Sequence, residues 1–215
     1  MSQSLFCINP NNSSERSHMP VFTKGDSNTL YIHVPKTGGS TIEGLFIRSG
    51  YEISFIRSKH SPIFKVINSS PQHYHSEIIN SIFDLEKFDF KFMTVRNPVQ
   101  RLISEFFMRC NETDDFNSWT KWVFKEFTKN PYIYDNHIRP QHDFHVPGCE
   151  VYRQEDRFDD VWIDNLNARL RHPIKKLHLE RLKNKRGHRF EVRDETLLEI
   201  RNFYDEDFKF FNYDI

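Results

Sequence analysis

Two short segments hold most of the residues able to bind or move charged groups. The first is Tyr31-Ile-His-Val-Pro-Lys36-Thr37-Gly38-Gly39-Ser40-Thr41. A β-rich run stops at a proline and a glycine pair, and an apolar helical pattern follows. A strand that feeds a Gly-rich turn and then a helix aims backbone N–H groups and the positive end of the helix dipole at an anion, most often a phosphate. Lys36 adds a point charge, and Ser40 and Thr41 add hydroxyl donors. The order is not that of GxxxxGK[ST], because the lysine precedes the glycines. An ordinary strand-to-helix turn is a poor account of Lys, Thr, two Gly, Ser and Thr in succession.

The second segment is Phe92-Met-Thr-Val-Arg96-Asn97-Pro98-Val-Gln-Arg101-Leu-Ile-Ser104-Glu-Phe. It also reads as a strand that ends at a helix N-terminus. A nucleoside-triphosphate hydrolase needs an acidic residue at such a strand end to hold Mg²⁺. This strand ends in Arg96, whose forked guanidinium binds an anion directly. Ser104 lies eight positions further on. In a helix that starts at Pro98, that is about two turns in, within reach of the same groove. The pattern is therefore two anion sites on neighbouring strands and no metal, as a nucleotide with phosphates at both ends would use.

The pair PKTGGST and FMTVRNPVQRLISEF resembles the P-loop sulfotransferases. It is most similar to the carbohydrate branch, with the heparan 2-O-, chondroitin 4-O- and dermatan enzymes. The final Tyr204-Asp-Glu-Asp-Phe-Lys-Phe-Phe-Asn-Tyr213 also resembles that family's usual finish. The resemblance covers about residues 29–213. It implies 3′-phosphoadenosine 5′-phosphosulfate (PAPS) as donor and PAP as product. Lys36, Thr37, Gly38, Gly39, Ser40 and Thr41 would hold the 5′-phosphosulfate. Arg96 and Ser104 would hold the 3′-phosphate. The acceptor expected is a hydroxyl, on a carbohydrate.

Sulfuryl transfer needs positioned cations for the charge that develops on the departing oxygens, and a base for the acceptor proton. Lys36 is the candidate for the first role. His60 is the candidate for the second: it follows the second predicted strand, between the two phosphate motifs, and Lys59-His60-Ser61-Pro62 resembles the family's His-containing segment there. His73 and His75 are runners-up, and His33 reads as a packed core residue. His137, Arg139 and Gln141 resemble a His-x-x-Pro-Gln stretch that lines the cleft of small relatives; a structured loop is the equal alternative. Arg153 and Glu155 could face the cleft or form a surface ion pair. The basic run from Lys175 to Arg189 could cover the nucleotide or simply be a solvated face.

The elements that must position these groups follow from periodicity. Strands are predicted over 29–34, 51–56 and 88–95, with a short one at 150–153. Helices are predicted after Gly39, over 72–83, from Pro98, and over 115–128, 158–170 and 194–204. The apolar faces include Ile42, Leu45 and Phe46 in the first and Trp119 in the fourth. Strands that alternate with helices make an α/β fold: a single P-loop-type domain with a mainly parallel central sheet flanked by helices. Residues 1–26 are polar and aperiodic and read as a flexible arm, with the domain over 27–215.

Composition narrows the rest. The 215 residues carry 30 Lys+Arg and 30 Asp+Glu, so a globally basic nucleic-acid binder is disfavoured. Phenylalanine is over-used, at 21 residues, which predicts an aromatic core. No apolar run approaches the roughly 18–20 residues of a bilayer span, and the first residues do not read as a signal peptide. Cys7, Cys110 and Cys149 form no CxxC pair. The compartment expected is the cytoplasm, or the Golgi lumen if the chain is truncated. Two rival functions stay open: a nucleotide-kinase-like phosphotransferase, which would need Mg²⁺, and a non-catalytic nucleotide- or glycan-binding module.

Overall fold

The computed structural model describes residues 17–57, 68–110, 114–156, 158–176 and 191–214. Strands β1 (Ser17–Lys24), β2 (Ser27–Ile32), β3 (Glu52–Arg57), β4 (Phe90–Val95) and β5 (Glu150–Arg153) form one sheet in the order β3-β1-β2-β4-β5. β1 runs antiparallel to both its neighbours, whereas β2–β4 and β4–β5 are parallel. Four strands therefore share one direction, and β1 alone opposes them. A two-residue turn closes the β1–β2 hairpin, with Gly25 at φ 59°, as tight hairpins require. The parallel pair β2–β4 is joined instead through helices α1 (Gly39–Arg48) and α2 (Ser76–Ile82), since parallel strands need a crossover.

The arm expected over residues 1–26 is corrected in its last part, because Ser17–Lys24 is a strand inside the sheet. The register of β1 against β3 shifts between His18 and Val21. Pro20 lies in that interval and lacks an N–H to give the ladder. The interruption hides the strand from a search for alternation. Residues 1–16 lie outside the described residues.

Side chains on the two faces of the sheet alternate as its pleat requires. Tyr31 and Phe92 turn to one face, where Phe22, Phe46 and Trp162 complete an aromatic core over α1 and helix α5 (Asp160–Asn167). The rings of Phe22 and Phe46 stack at 4.0 Å. Leu30, Ile32, Met93 and Val95 turn to the other face, against Tyr74, Ile79 and Phe144. Beyond the sheet, helices α3 (Pro98–Arg109), α4 (Phe116–Lys129), α6 (Asp194–Phe203) and α7 (Asp205–Phe210) pack around Leu102, Phe106, Trp119, Ile200 and Tyr204.

Caps set the helix starts. The Asn97 side chain accepts from the Val99 and Gln100 N–H groups with Pro98 in the first turn, so Asn-Pro opens α3 as the sequence implies. The helix predicted over 72–83 is shorter. Pro71–His73 forms a 3-10 turn, Tyr74 and His75 are extended, and α2 begins only at Ser76. Among the described residues no helix is long and apolar enough to cross a membrane.

Candidate active site

Because β2 and β4 are adjacent and parallel, the segments that follow them leave the same sheet edge side by side. Ligands of open α/β sheets bind at such carboxyl edges. In the turn after β2, the Thr37 hydroxyl donates to the Val34 carbonyl (2.8 Å) and pairs with Thr94 Oγ1 (2.9 Å), which is 2.7 Å from the Tyr31 hydroxyl. Thr37 thus roots the turn in β2 and β4. Its hydroxyl faces inward, so only its main chain is left for a ligand.

Lys36 (φ 70°) and Gly38 (φ 93°) both adopt the left-handed conformation. A Cβ on Gly38 would lie 2.6 Å from the Phe158 ring, and one on Gly39 would lie 2.0 Å from His33 Nε2. The Gly38 carbonyl accepts from Thr41 N–H (3.0 Å) and Ile42 N–H (3.3 Å) and starts α1. The N–H groups of Gly39 and Ser40, in the first turn, precede the helical ladder and point along the positive end of the α1 dipole.

The Lys36 amine reaches Met108 Sδ on α3 (3.2 Å). Burial lowers its pKa, the Glu105 carboxylate raises it, and Arg109 and Arg96 lower it. Arg96, half-buried at the end of β4, has its main chain held at both ends by one side chain: its N–H donates to Gln141 Oε1 (2.9 Å) and its carbonyl accepts from Gln141 Nε2 (2.8 Å). Gln141 is fully buried, and its own N–H donates to Asp207 (2.7 Å). The cleft-lining reading of Gln141 is therefore corrected to that of a main-chain clamp. Arg153 donates to the carbonyls of Phe211 (2.7 Å) and Asn212 (2.8 Å), and Glu155 accepts from Asn97 N–H (2.7 Å) and the Tyr213 hydroxyl (3.0 Å). Both residues fasten the C-terminal segment beside Arg96. Ser104 sits half-buried in the second turn of α3.

Three imidazoles stand in a row next to the glycine turn. His33 meets His73 edge to face (centroids 5.3 Å apart), and His73 meets His137 likewise (4.7 Å). Each has Nδ1 beside a carboxylate: His33 by Glu43 (3.1 Å), His73 by Asp135 (2.9 Å) and His137 by Glu105 (2.6 Å). Tyr134, Asp135 and Asn136 are three successive left-handed residues, with φ of 54°, 59° and 66°. Such backbone is costly and persists where surrounding bonds impose it. Here Asp135 accepts from Ser70 N–H (2.6 Å), and the Asn136 amide donates to the His73 carbonyl (2.9 Å).

Burial pushes the His137 pKa down to about 4 against the pull of Glu105. Burial also lowers that of His33. Burial opposes ionisation of Glu105, yet His137 and Arg109 hold its pKa down at about 2. The two flanking rings of the row are thus neutral at neutral pH.

The structure brings together Lys36, the glycine turn, Arg96, His73 and His137. It does not bring in His75, which is buried with Nε2 3.4 Å from Glu77. Arg139 is occupied internally, donating to Asn136 (3.0 Å) and Asp143 (3.1 Å). His60 and the basic stretch 177–190 lie outside the described residues. Sequence reasoning missed Glu105, Asp135 and Arg101. Arg101 is buried and donates to the Pro35 carbonyl (3.1 Å) and to those of His137 (2.8 Å) and Arg139 (2.7 Å), joining the glycine turn to the histidine segment. The available signal was two opposite charges four residues apart, Arg101 and Glu105, amid the apolar residues of α3.

A comparison with protein-family models matches residues 19–214 to one described as the sulfotransferase family. Comparisons with curated proteins and with solved structures gave no match. The match takes in both turns and the histidine row, and on it the chain belongs to the sulfotransferase family.

Proposed function

We propose that this chain transfers a sulfuryl group from PAPS to a hydroxyl of a carbohydrate acceptor. The observation that carries the reading is the placement of two anion-suited turns side by side at one sheet edge, with the histidine row against the first. The residues present suit a donor with phosphates at both ends. The turn from Lys36 to Thr41 offers helix N–H groups, hydroxyls and a cation, with the His33 ring packed directly against Gly39. Arg96 and Ser104 would take the 3′-phosphate. The acceptor class rests on the resemblance to the carbohydrate branch.

When bound, PAPS supplies an activated sulfuryl group, which the acceptor oxygen displaces in line from PAP. The Lys36 ammonium, drawn from water by burial, favours negative charge on the departing oxygen. Among the described histidines, His73 is the one we assign as base. Asp135 fixes its Nδ1 as the protonated nitrogen, which leaves Nε2 to take the hydroxyl proton. His60 remains the alternative base.

Titration calorimetry with PAP in the presence of EDTA tests the donor assignment. Tight binding without metal is expected. Strict dependence on Mg²⁺, or preference for ATP, would favour the phosphotransferase reading. Transfer of labelled sulfate from PAPS across a panel of glycan and non-glycan hydroxyl acceptors tests the acceptor class. PAP binding without transfer to any of them would favour the binding module.

A further inference from the structure

Glu105 lies on the inner side of α3 with 1 % of its side chain exposed. A buried carboxylate is costly unless every oxygen is matched. Here Oε2 faces His137 Nδ1 (2.6 Å) and Oε1 accepts from Arg109 Nε (2.7 Å). One turn further along the helix, Met108 receives the Lys36 amine. The carboxylate therefore stands between the glycine turn and the histidine row, and touches the row directly.

Three cations gather at this edge of the site: Lys36 from the turn and Arg109 from α3 act on Glu105 or share its field, and Arg96 from the end of β4 acts on Lys36. The groups facing Lys36 are those two guanidinium groups and Glu105. Those facing Glu105 are His137, Arg109 and Lys36, with the Tyr134 and Tyr204 phenols further out. A partly buried amine among like charges tends to shed its proton, and a fixed anion opposes that. Glu105 is the anion in this set. It also fixes which nitrogen of His137 carries hydrogen, and so the edge that ring presents to His73.

We propose that Glu105 is a positioning residue for both halves of the transfer, keeping the Lys36 amine charged on the donor side and the His137 ring oriented against His73 on the acceptor side. The proposal rests on the sulfotransferase reading only for what Lys36 and His73 do in turnover. The hold on the Lys36 amine is independent of it.

The test reads Lys36 directly. The full chain, without nucleotide, is acylated with an isotope-coded anhydride over a pH series, and the labelled Lys36 peptide is quantified by mass spectrometry. In Glu105→Gln the midpoint for Lys36 should fall by about one pH unit, the scale expected for losing one nearby charge at a half-buried site. An unchanged midpoint overturns the proposal. Should Glu105→Gln fail to fold, Arg109→Met gives the opposite reading. Arg109 is 30 % exposed near the end of its helix. Its loss removes a repelling cation and should raise the Lys36 midpoint, whereas a fixed or lowered midpoint overturns the proposal. A residue serving only stability would move neither. The alkaline limb of the kcat profile should follow the midpoint down in Glu105→Gln. A shifted midpoint with an unmoved limb would overturn the role of Lys36 in transfer and support the hold of Glu105 on the amine.

Discussion

His33 and Gly39 are in contact so close that a β-carbon on residue 39 would sit 2.0 Å from Nε2 and 2.2 Å from Cε1 of the ring. The ring cannot withdraw. Its Nδ1 lies 3.1 Å from Glu43 and 3.0 Å from the Gln72 amide, and one face stacks on Tyr31 at 5.6 Å. The end of β2 and the start of α1 are thereby fitted to each other through one imidazole. This fit holds the first N–H groups of α1 at the mouth of the site.

Gly39→Ala should therefore do harm out of proportion to one methyl group. Overpacking a rigid contact costs roughly 1–3 kcal/mol, to be read as a lower urea midpoint. PAP affinity should fall as well, because relief requires moving either the ring or the turn. Ser40→Ala, one residue later and exposed, is the control for the urea midpoint alone, since its hydroxyl belongs to the proposed donor site. Equal stability of Gly39→Ala and the parent would show that the ring can give way.

Arg96→Ala should weaken PAP far more than adenosine 5′-phosphosulfate, since only the former carries a 3′-phosphate. A charge-assisted hydrogen bond contributes about 1.5–3 kcal/mol, so a loss of tenfold or more is expected for PAP. Equal losses for the two ligands in calorimetry would make Arg96 a scaffold residue.

Lys36→Ala should lower kcat more than it weakens PAP, because the ammonium matters most when charge reaches the departing oxygen. If kcat holds and only KM rises, Lys36 is a ground-state clamp. Because Lys36 takes a left-handed φ of 70°, Lys36→Gly separates the loss of the side chain from backbone strain.

Stability should decline on mild acidification. Burial depresses the folded-state pKa of His137 from 6.5 to about 4. Between those values the unfolded chain binds more protons than the folded one. The contribution is therefore complete above about pH 6.5 and is lost as pH falls toward 4. The contribution of Glu105, whose pKa is lowered from 4.5 to about 2, is lost between those values, so it overlaps the His137 window only at its acid end. Urea midpoints over a pH series check the slope, and His137→Asn should flatten it. A slope unchanged in His137→Asn would place the proton uptake elsewhere.

What could be read from the chain itself was whatever is local. Tyr31 to Thr41 and Phe92 to Ser104 each place strand, turn and helix within a few residues, and Asn97-Pro98 carries its own cap. The site's inner parts are not local. Asp135 meets His73 across 62 positions and Glu105 meets His137 across 32, so no spacing rule reveals either pair. His33 looked like a packed core residue, and it is buried, but its placement under Gly39 depends on how α1 folds back. Gln141 carries the polarity of a ligand-binding residue. Only the burial of both its amide ends shows that it serves the Arg96 main chain. Strand β1 escaped because proline interrupts it.

That strand has a further consequence. β1 is the partner of β3 and lines the flank of β2 through Leu30. A chain trimmed at residue 26 would leave Ser27–Leu30 with an unsatisfied row of backbone donors and acceptors, and β3 with no neighbour in the sheet. Unprotected edges of this kind recruit strands from other molecules. The eight residues of β1 thus act as the sheet's guard against self-association, and clumping of the trimmed protein would mark their loss before any change at the active site did.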